Sequence, residues 1–166
     1  MPTQTMRYID NGVLQDLAFG SGFNLGQGKP FNQNPWSLRL DTMSGTPLQT
    51  VEEMIAQCKL GIYVNRFSHV QTINGPVALM TGVTRDGCFL IKDGTINRPV
   101  KNFRFIDSPM YALNRLVAVG NPERVPFGFM LGDDELSYMS RWPRRPMIVP
   151  PVMVDDFNFS AMSDAV

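Results

Sequence analysis

Histidine is almost absent: His69 is the only one in 166 residues. A protease-type zinc site sets two histidines on one helix face with a glutamate beside them, and a single imidazole cannot supply that pattern. Cysteine is nearly as scarce. Cys58 and Cys88 show no CxxC spacing and make neither a disulfide framework nor a zinc site. No GxSxG elbow is present, and a Ser/His/Asp triad would have to rest on His69, with no spacing in its favour. Charge of one sign is missing too. With 15 basic and 15 acidic residues the chain does not read as a general nucleic-acid or membrane-surface binder. No apolar run approaches the roughly 18 residues of a spanning helix. The start, MPTQTMRYIDNG, lacks a basic-then-apolar signal, so the expectation is a cytoplasmic protein with no membrane partner. Gly132-Asp133-Asp134-Glu135 lacks the alternating oxygen ligands of a calcium loop and reads as a hairpin turn. GSGFNLG at 20–26 lacks the Lys-Ser/Thr of a phosphate loop.

What is present is apolar, aromatic and rich in turns. Hydrophobic residues at 43% and charged residues at 18% mark a globular chain, and its length suits one domain over 1–166. Eleven Met and eleven Phe offer adaptable apolar side chains, for a core or for a surface that takes peptides. Asn11-Gly12 between Tyr8-Ile9 and Val13-Leu14 predicts a hairpin, because both turn positions need positive φ. The Gly-, Asn- and Gln-rich stretch 20–35 reads as a surface or site-lining loop, and Trp36–Leu40 alternates like a half-buried strand. Thr50 and Glu53 form a capping box ahead of Val51, Met54, Ile55 and Cys58 at helical spacing, with Gly61 as the stop. Cys58 is thereby a buried helix residue, and Cys88 is strand packing.

From Ile62 the period becomes two. Strands are expected at 62–67, 77–84, 88–91, 95–100 and 101–106, with turns at 73–76, 85–87 and 92–94. Pro99 marks an edge or a break. Between 81 and 105 five basic residues outweigh Asp86 and Asp93, which reads as solvated strand faces and edge protection. Ser108-Pro109 opens a second helix with Met110, Leu113, Leu116 and Val117 on its apolar face and Gly120 at its end. Strands follow at 126–131, 136–140 and 147–154, with RWPRRP at 141–146 as a rigid basic connector. The sum is an α+β fold, β-rich and mostly antiparallel, with two helices packed on the sheets. An open sheet edge backed by apolar residues can accept an extended peptide as an added strand. Arg66 and His69, after the first sheet strand, are the one polar pair placed to face such a ligand. No catalytic residue and no metal ligand is assigned.

These residues carry a resemblance. YIDNGVLQDL, TVEEMIAQCKLGIYVNRF, the run from Leu79 to Gly120 with TRDGCFLIKDGTINRPVKN at its centre, and IVPPVMVDDFNF together resemble the C-terminal part of the TldD/PmbA family. These proteins were named as modulators of DNA gyrase and are understood as zinc metallopeptidases. The resemblance implies a β-rich domain, a TldD-like or identical partner subunit, and unfolded peptides as substrates. In catalytic members HExxxH lies upstream of the matched region, and a further zinc ligand is a cysteine near the C-terminus. The corresponding stretch from Phe127 to Arg141 has no cysteine, and neither Cys58 nor Cys88 stands in its place. The expectation is a metal-free, PmbA-like scaffold or partner subunit, or a piece of a longer protein, without autonomous peptidase activity. The alternative is a non-enzymatic β-module that binds extended peptides or a protein partner. Nucleic acid is not expected as a partner.

Overall fold

The computed structural model describes residues 5–16, 38–127 and 145–163. They belong to two compact units, one from Met1–Thr46 and Pro122–Pro150, the other from Pro47–Asn121 and Pro151–Val166. The chain passes between the units three times, and each segment it enters opens on a proline: Pro47, Pro122 and Pro151. Proline fixes φ and donates no ladder hydrogen bond, so a central strand does not run through it.

In the first unit Ile9–Asp10 (β1) and Val13–Leu14 (β2) form the expected hairpin, with Asn11 at φ 49° and Gly12 at φ 78°. Leu38–Arg39 (β3) pairs in parallel with Arg145–Val149 (β10), which pairs antiparallel with Glu123–Phe127 (β9). Trp36, the loop at 20–35, the acidic turn at 132–135 and the strand expected at 136–140 lie outside the described residues.

The second unit holds the longer sheet. Leu60–Asn74 (β4) and Leu79–Lys92 (β5) pair antiparallel along most of their length. The far side of β5 is shared: Cys88–Lys92 pair with Thr95–Val100 (β6), and Met80–Val83 pair with Asn102–Asp107 (β7). Phe159–Ser163 (β12) adds to β7, giving the order β12-β7-β5-β4. The break between β6 and β7 falls at Lys101, and β6, which contains Pro99, pairs only with β5 among the described residues. Leu116–Val119 (β8) and Val152–Val154 (β11) form a separate antiparallel pair. The fold is α+β, β-rich and mostly antiparallel.

Arg85-Asp86-Gly87 is no turn. Asp86 at φ 61° and Gly87 at φ 108° together face Asn65, so the expected strands 77–84 and 88–91 fuse into β5 around a β-bulge. The amide of Asn65 donates to the Asp86 carbonyl at 3.0 Å, satisfying a group that the bulge removes from the ladder. The preceding reversal lies at 75–78, not 73–76, because β4 continues to Asn74. The stretch 147–154 is two strands, β10 and β11, cut at Pro150-Pro151.

Helix α1, Val51–Gln57, has the full Thr50/Glu53 capping box and buries Met54. It ends with Cys58 as C-cap, so Gly61 is not its stop. Gly61 sits in β4, where a Cβ would come within 2.7 Å of the Cys58 sulfur. Helix α2, Pro109–Asn114, starts where expected but is short. Leu116 and Val117 leave it for β8, and Met110, Leu113, Leu116 and Val117 are exposed; Ala112 is the buried helix residue. Ser108 is the N-cap by position, yet its hydroxyl donates to the Val77 carbonyl at 2.8 Å and leaves the helix uncapped by it.

The phenylalanines explain much of the long sheet's packing. Phe105 meets Phe67 at 4.8 Å and Phe157 at 5.5 Å between ring centroids, and Phe159 joins Phe157 and Phe103, each at 5.1 Å. Such pairs add about 0.5–1.5 kcal/mol each beyond burial. Gly82 makes the arrangement fit. It lies opposite Phe105 on β7 and faces the second bulge of β4, at His69-Val70. A Cβ there would stand 2.7 Å from the Phe105 ring and 3.0 Å from the Ser68 carbonyl. That ring is held by Phe67 and Phe157 and cannot swing aside freely. Gly82→Ala is therefore expected to destabilise the unit by about 1–3 kcal/mol, read as a lowered urea midpoint. A midpoint equal to wild type would show that the ring has room to move.

Candidate functional site

The two residues singled out from sequence both lie on β4. This strand is 15 residues long, and on its other edge it has no strand partner among the described residues, where it pairs only with β5. Leu60, Phe67, Val70 and Ile73 along it are exposed. Three register shifts interrupt the ladder, between Val64/Arg66, Ser68/Gln71 and Thr72/Asn74. Bulges of this kind twist an edge and limit uncontrolled pairing, so the smooth run Leu60–Val64 is the best template for an added strand.

Arg66 forms an ion pair with Asp86, which anchors it to the bulge on β5. His69 is no strand-end residue; it sits within β4 at φ 51°, exposed, with its Nδ1 3.1 Å from the Ser68 hydroxyl. The two side chains thus have separate local partners, and neither lines the depressions described next.

One open depression of about 800 Å³ is lined by Ile106, Asp107, Tyr111, Arg115, Phe157 and Asn158 among others. Its floor is a buried carboxylate. Asp107 accepts from the Ser108 N–H at 2.7 Å, the Asn158 N–H at 3.0 Å and the Arg115 guanidinium at 2.8 Å. Burial alone would push its pKa up, but the two N–H groups and Arg115 together hold it below the ordinary carboxylate range. Arg115 also donates to the Asp156 carbonyl at 2.6 Å, and the Asp155 N–H donates to the Arg115 carbonyl at 3.0 Å. This is a bolt joining β7, α2 and the segment before β12. The sequence reading missed it. Ser108-Pro109 read as a helix start, and nothing local shows that the neighbouring Asp107 carboxylate receives Asn158.

A second, more apolar groove of about 660 Å³ lies over the junction of β6 and β7. Ile62, Leu90, Val100, Phe103 and Met162 line it, with Arg98 and Lys101 as its charged residues. Arg98 lies in the basic stretch that read as solvated strand.

Among the described residues no three His, Cys, Asp or Glu side chains gather. Cys58 and Cys88 are both buried free thiols, Cys58 at the helix cap and Cys88 in β5 near the Asn102 side-chain oxygen at 3.9 Å. No helix among the described residues is long and apolar enough to cross a membrane.

The fold has counterparts among solved structures. TldE from Thermococcus kodakarensis superposes with a TM-score of 0.63 at 18% identity, over 95% of this chain and 34% of that one. A proposed modulator of DNA gyrase from Bacteroides thetaiotaomicron gives 0.52 at 22% identity, over 72% of this chain and 26% of that one. The chain thus spans about a quarter to a third of the length of these structures. No curated protein matches it. The model of the PmbA/TldA metallopeptidase C-terminal domain matches residues 1–161, nearly the whole sequence, and the chain therefore belongs to the TldD/PmbA family as its C-terminal domain.

Proposed function

We propose that this domain is a non-catalytic framework of a TldD/PmbA-type peptidase, which holds unfolded peptides in extended form while the reactive metal centre is supplied by another segment or subunit. The open edge of β4 carries this reading. A strand edge offers backbone donors and acceptors that any extended chain can use, so affinity does not depend on sequence. Exposed apolar side chains beside the edge add contact area. Family membership supports the peptide as substrate class and a TldD-like or identical subunit as partner. The scattered His and Cys side chains support a domain that contributes no zinc cage. Arg66 and His69 lie on the same strand, just beyond the Leu60–Val64 run, as candidate polar contacts for such a peptide.

Mixing the chain with a family member that carries HExxxH tests this. The expected result is a complex by size-exclusion chromatography and cleavage of an unstructured peptide by the mixture but not by this chain alone. The chain by itself is expected to bind less than stoichiometric zinc by elemental analysis. Stoichiometric zinc that His69→Ala abolishes would overturn the metal-free assignment. Peptide binding with neither complex nor cleavage would favour the β-module without proteolysis.

A further inference from the structure

We propose that the groove over the β6–β7 junction binds a short extended peptide segment bearing a carboxylate beside apolar side chains. The proposal deepens the peptide-binding reading and rests on it. Strand register builds the groove: Ile62 faces Leu90, Leu90 faces Arg98, and Phe103 faces Met162. Residues directly opposite one another project to the same face, so Ile62, Leu90 and Arg98 form one row across three strands. Of the described residues that line the groove, two are cations and none is an acid.

Arg98 is the informative residue. Its side chain is exposed and makes no hydrogen bond or ion pair with any described residue. An edge-strand guanidinium beside an apolar floor offers a planar fork that fits a carboxylate in bidentate fashion. The neighbouring apolar surface lowers the local dielectric, which strengthens such a pair relative to open water. Met162, 72% exposed at the other end, is a flexible thioether able to follow differently shaped apolar side chains. Lys101 adds positive charge. The volume, about 660 Å³, suits a few residues and not a folded partner. Two cations on a chain of zero net charge do not make the basic stripe that a nucleic-acid strand requires.

Fluorescence anisotropy on the full chain tests the proposal with two labelled unstructured peptides of equal length and apolar content, one carrying glutamates and one carrying lysines. The glutamate peptide is expected to bind about tenfold tighter, with the preference shrinking at high salt. Arg98→Glu is expected to remove that preference, and Arg98→Lys to keep only part of it, because an ammonium supplies the charge without the bidentate fork. Arg124→Glu, the same charge change in the other unit, is expected to leave it intact. Circular dichroism confirms folding of each variant. Equal binding of the two peptides, or equal effects of Arg98→Glu and Arg124→Glu, would overturn the carboxylate preference while leaving peptide binding standing. Failure of both peptides to bind would overturn peptide recognition itself. Tighter binding of a single-stranded oligonucleotide than of either peptide would reassign the groove to nucleic acid.

Discussion

Asp107→Ala is expected to destabilise the second unit by roughly 3–5 kcal/mol, the range for removing one partner from a buried ion pair. The carboxylate is 8% exposed and receives three donors. Alanine leaves the Ser108 and Asn158 N–H groups without an acceptor, at about 1–3 kcal/mol each when they stay dry. Arg115 suffers less, since its side chain is 33% exposed and it keeps the Asp156 carbonyl. Asp107→Asn, which retains one acceptor oxygen, is expected to lose about half as much. Urea unfolding followed by circular dichroism measures both, and a loss below about 1 kcal/mol for alanine would show that the bolt is not structural.

The same group sets an acid limit. Its folded pKa lies below the ordinary value because the bonds from Asn158, Ser108 and Arg115 outweigh the effect of burial. Its stabilisation is therefore fully present above about pH 4, the unfolded carboxylate range, and is lost as pH falls through the folded pKa. The stability gap between wild type and Asp107→Ala is expected to be flat from pH 7 to about pH 5 and to close below about pH 4. A gap that stayed constant through the acid range would show that the carboxylate charge does not contribute.

Gly94→Ala is the second large effect, at roughly 3 kcal/mol or more. Gly94 has φ 79°, and a Cβ there would stand 2.6 Å from the Ala56 carbonyl oxygen, a backbone atom of α1. The turn cannot lift away cheaply, because the Asp93 and Gly94 N–H groups donate to the Lys59 and Cys58 carbonyls at 2.8 and 2.9 Å. Gly12 supplies the control. Its φ is 78°, and nothing lies within 4 Å of its Cβ position. Gly12→Ala should therefore show only the left-handed backbone cost, about 1–2 kcal/mol. Equal losses at the two positions would show that the docking of the turn against α1 adds nothing.

Local chemistry was readable wherever a few adjacent residues suffice. The Thr50/Glu53 box, the Asn11-Gly12 hairpin and the start of α2 at Ser108-Pro109 all stand where the residues place them. The β-rich class was legible for the same reason, since turn dipeptides and strand alternation persist along the chain, while the family was legible only through the resemblance of whole segments. Met110, Leu113, Leu116 and Val117 show the limit. Their helical spacing suggested a buried face, but the helix stops at Asn114, and β8 begins because Leu116–Val119 pair with β11, whose strand is distant in sequence. The groove was not legible either: Ile62, Leu90 and Arg98 meet only through two strand registers.

Asp86-Gly87 and Asp93-Gly94 draw the boundary most sharply. The dipeptide by itself determined that both pairs take positive φ, because Gly has no Cβ and Asp tolerates the left-handed region. Only tertiary structure decided that the second pair reverses the chain between β5 and β6 while the first is swallowed as a bulge inside β5. The reason is the partner: β4 runs past Asp86-Gly87 on one side and pairs with β5 before and after them, with Asn65 and Arg66 holding the extra residue in place.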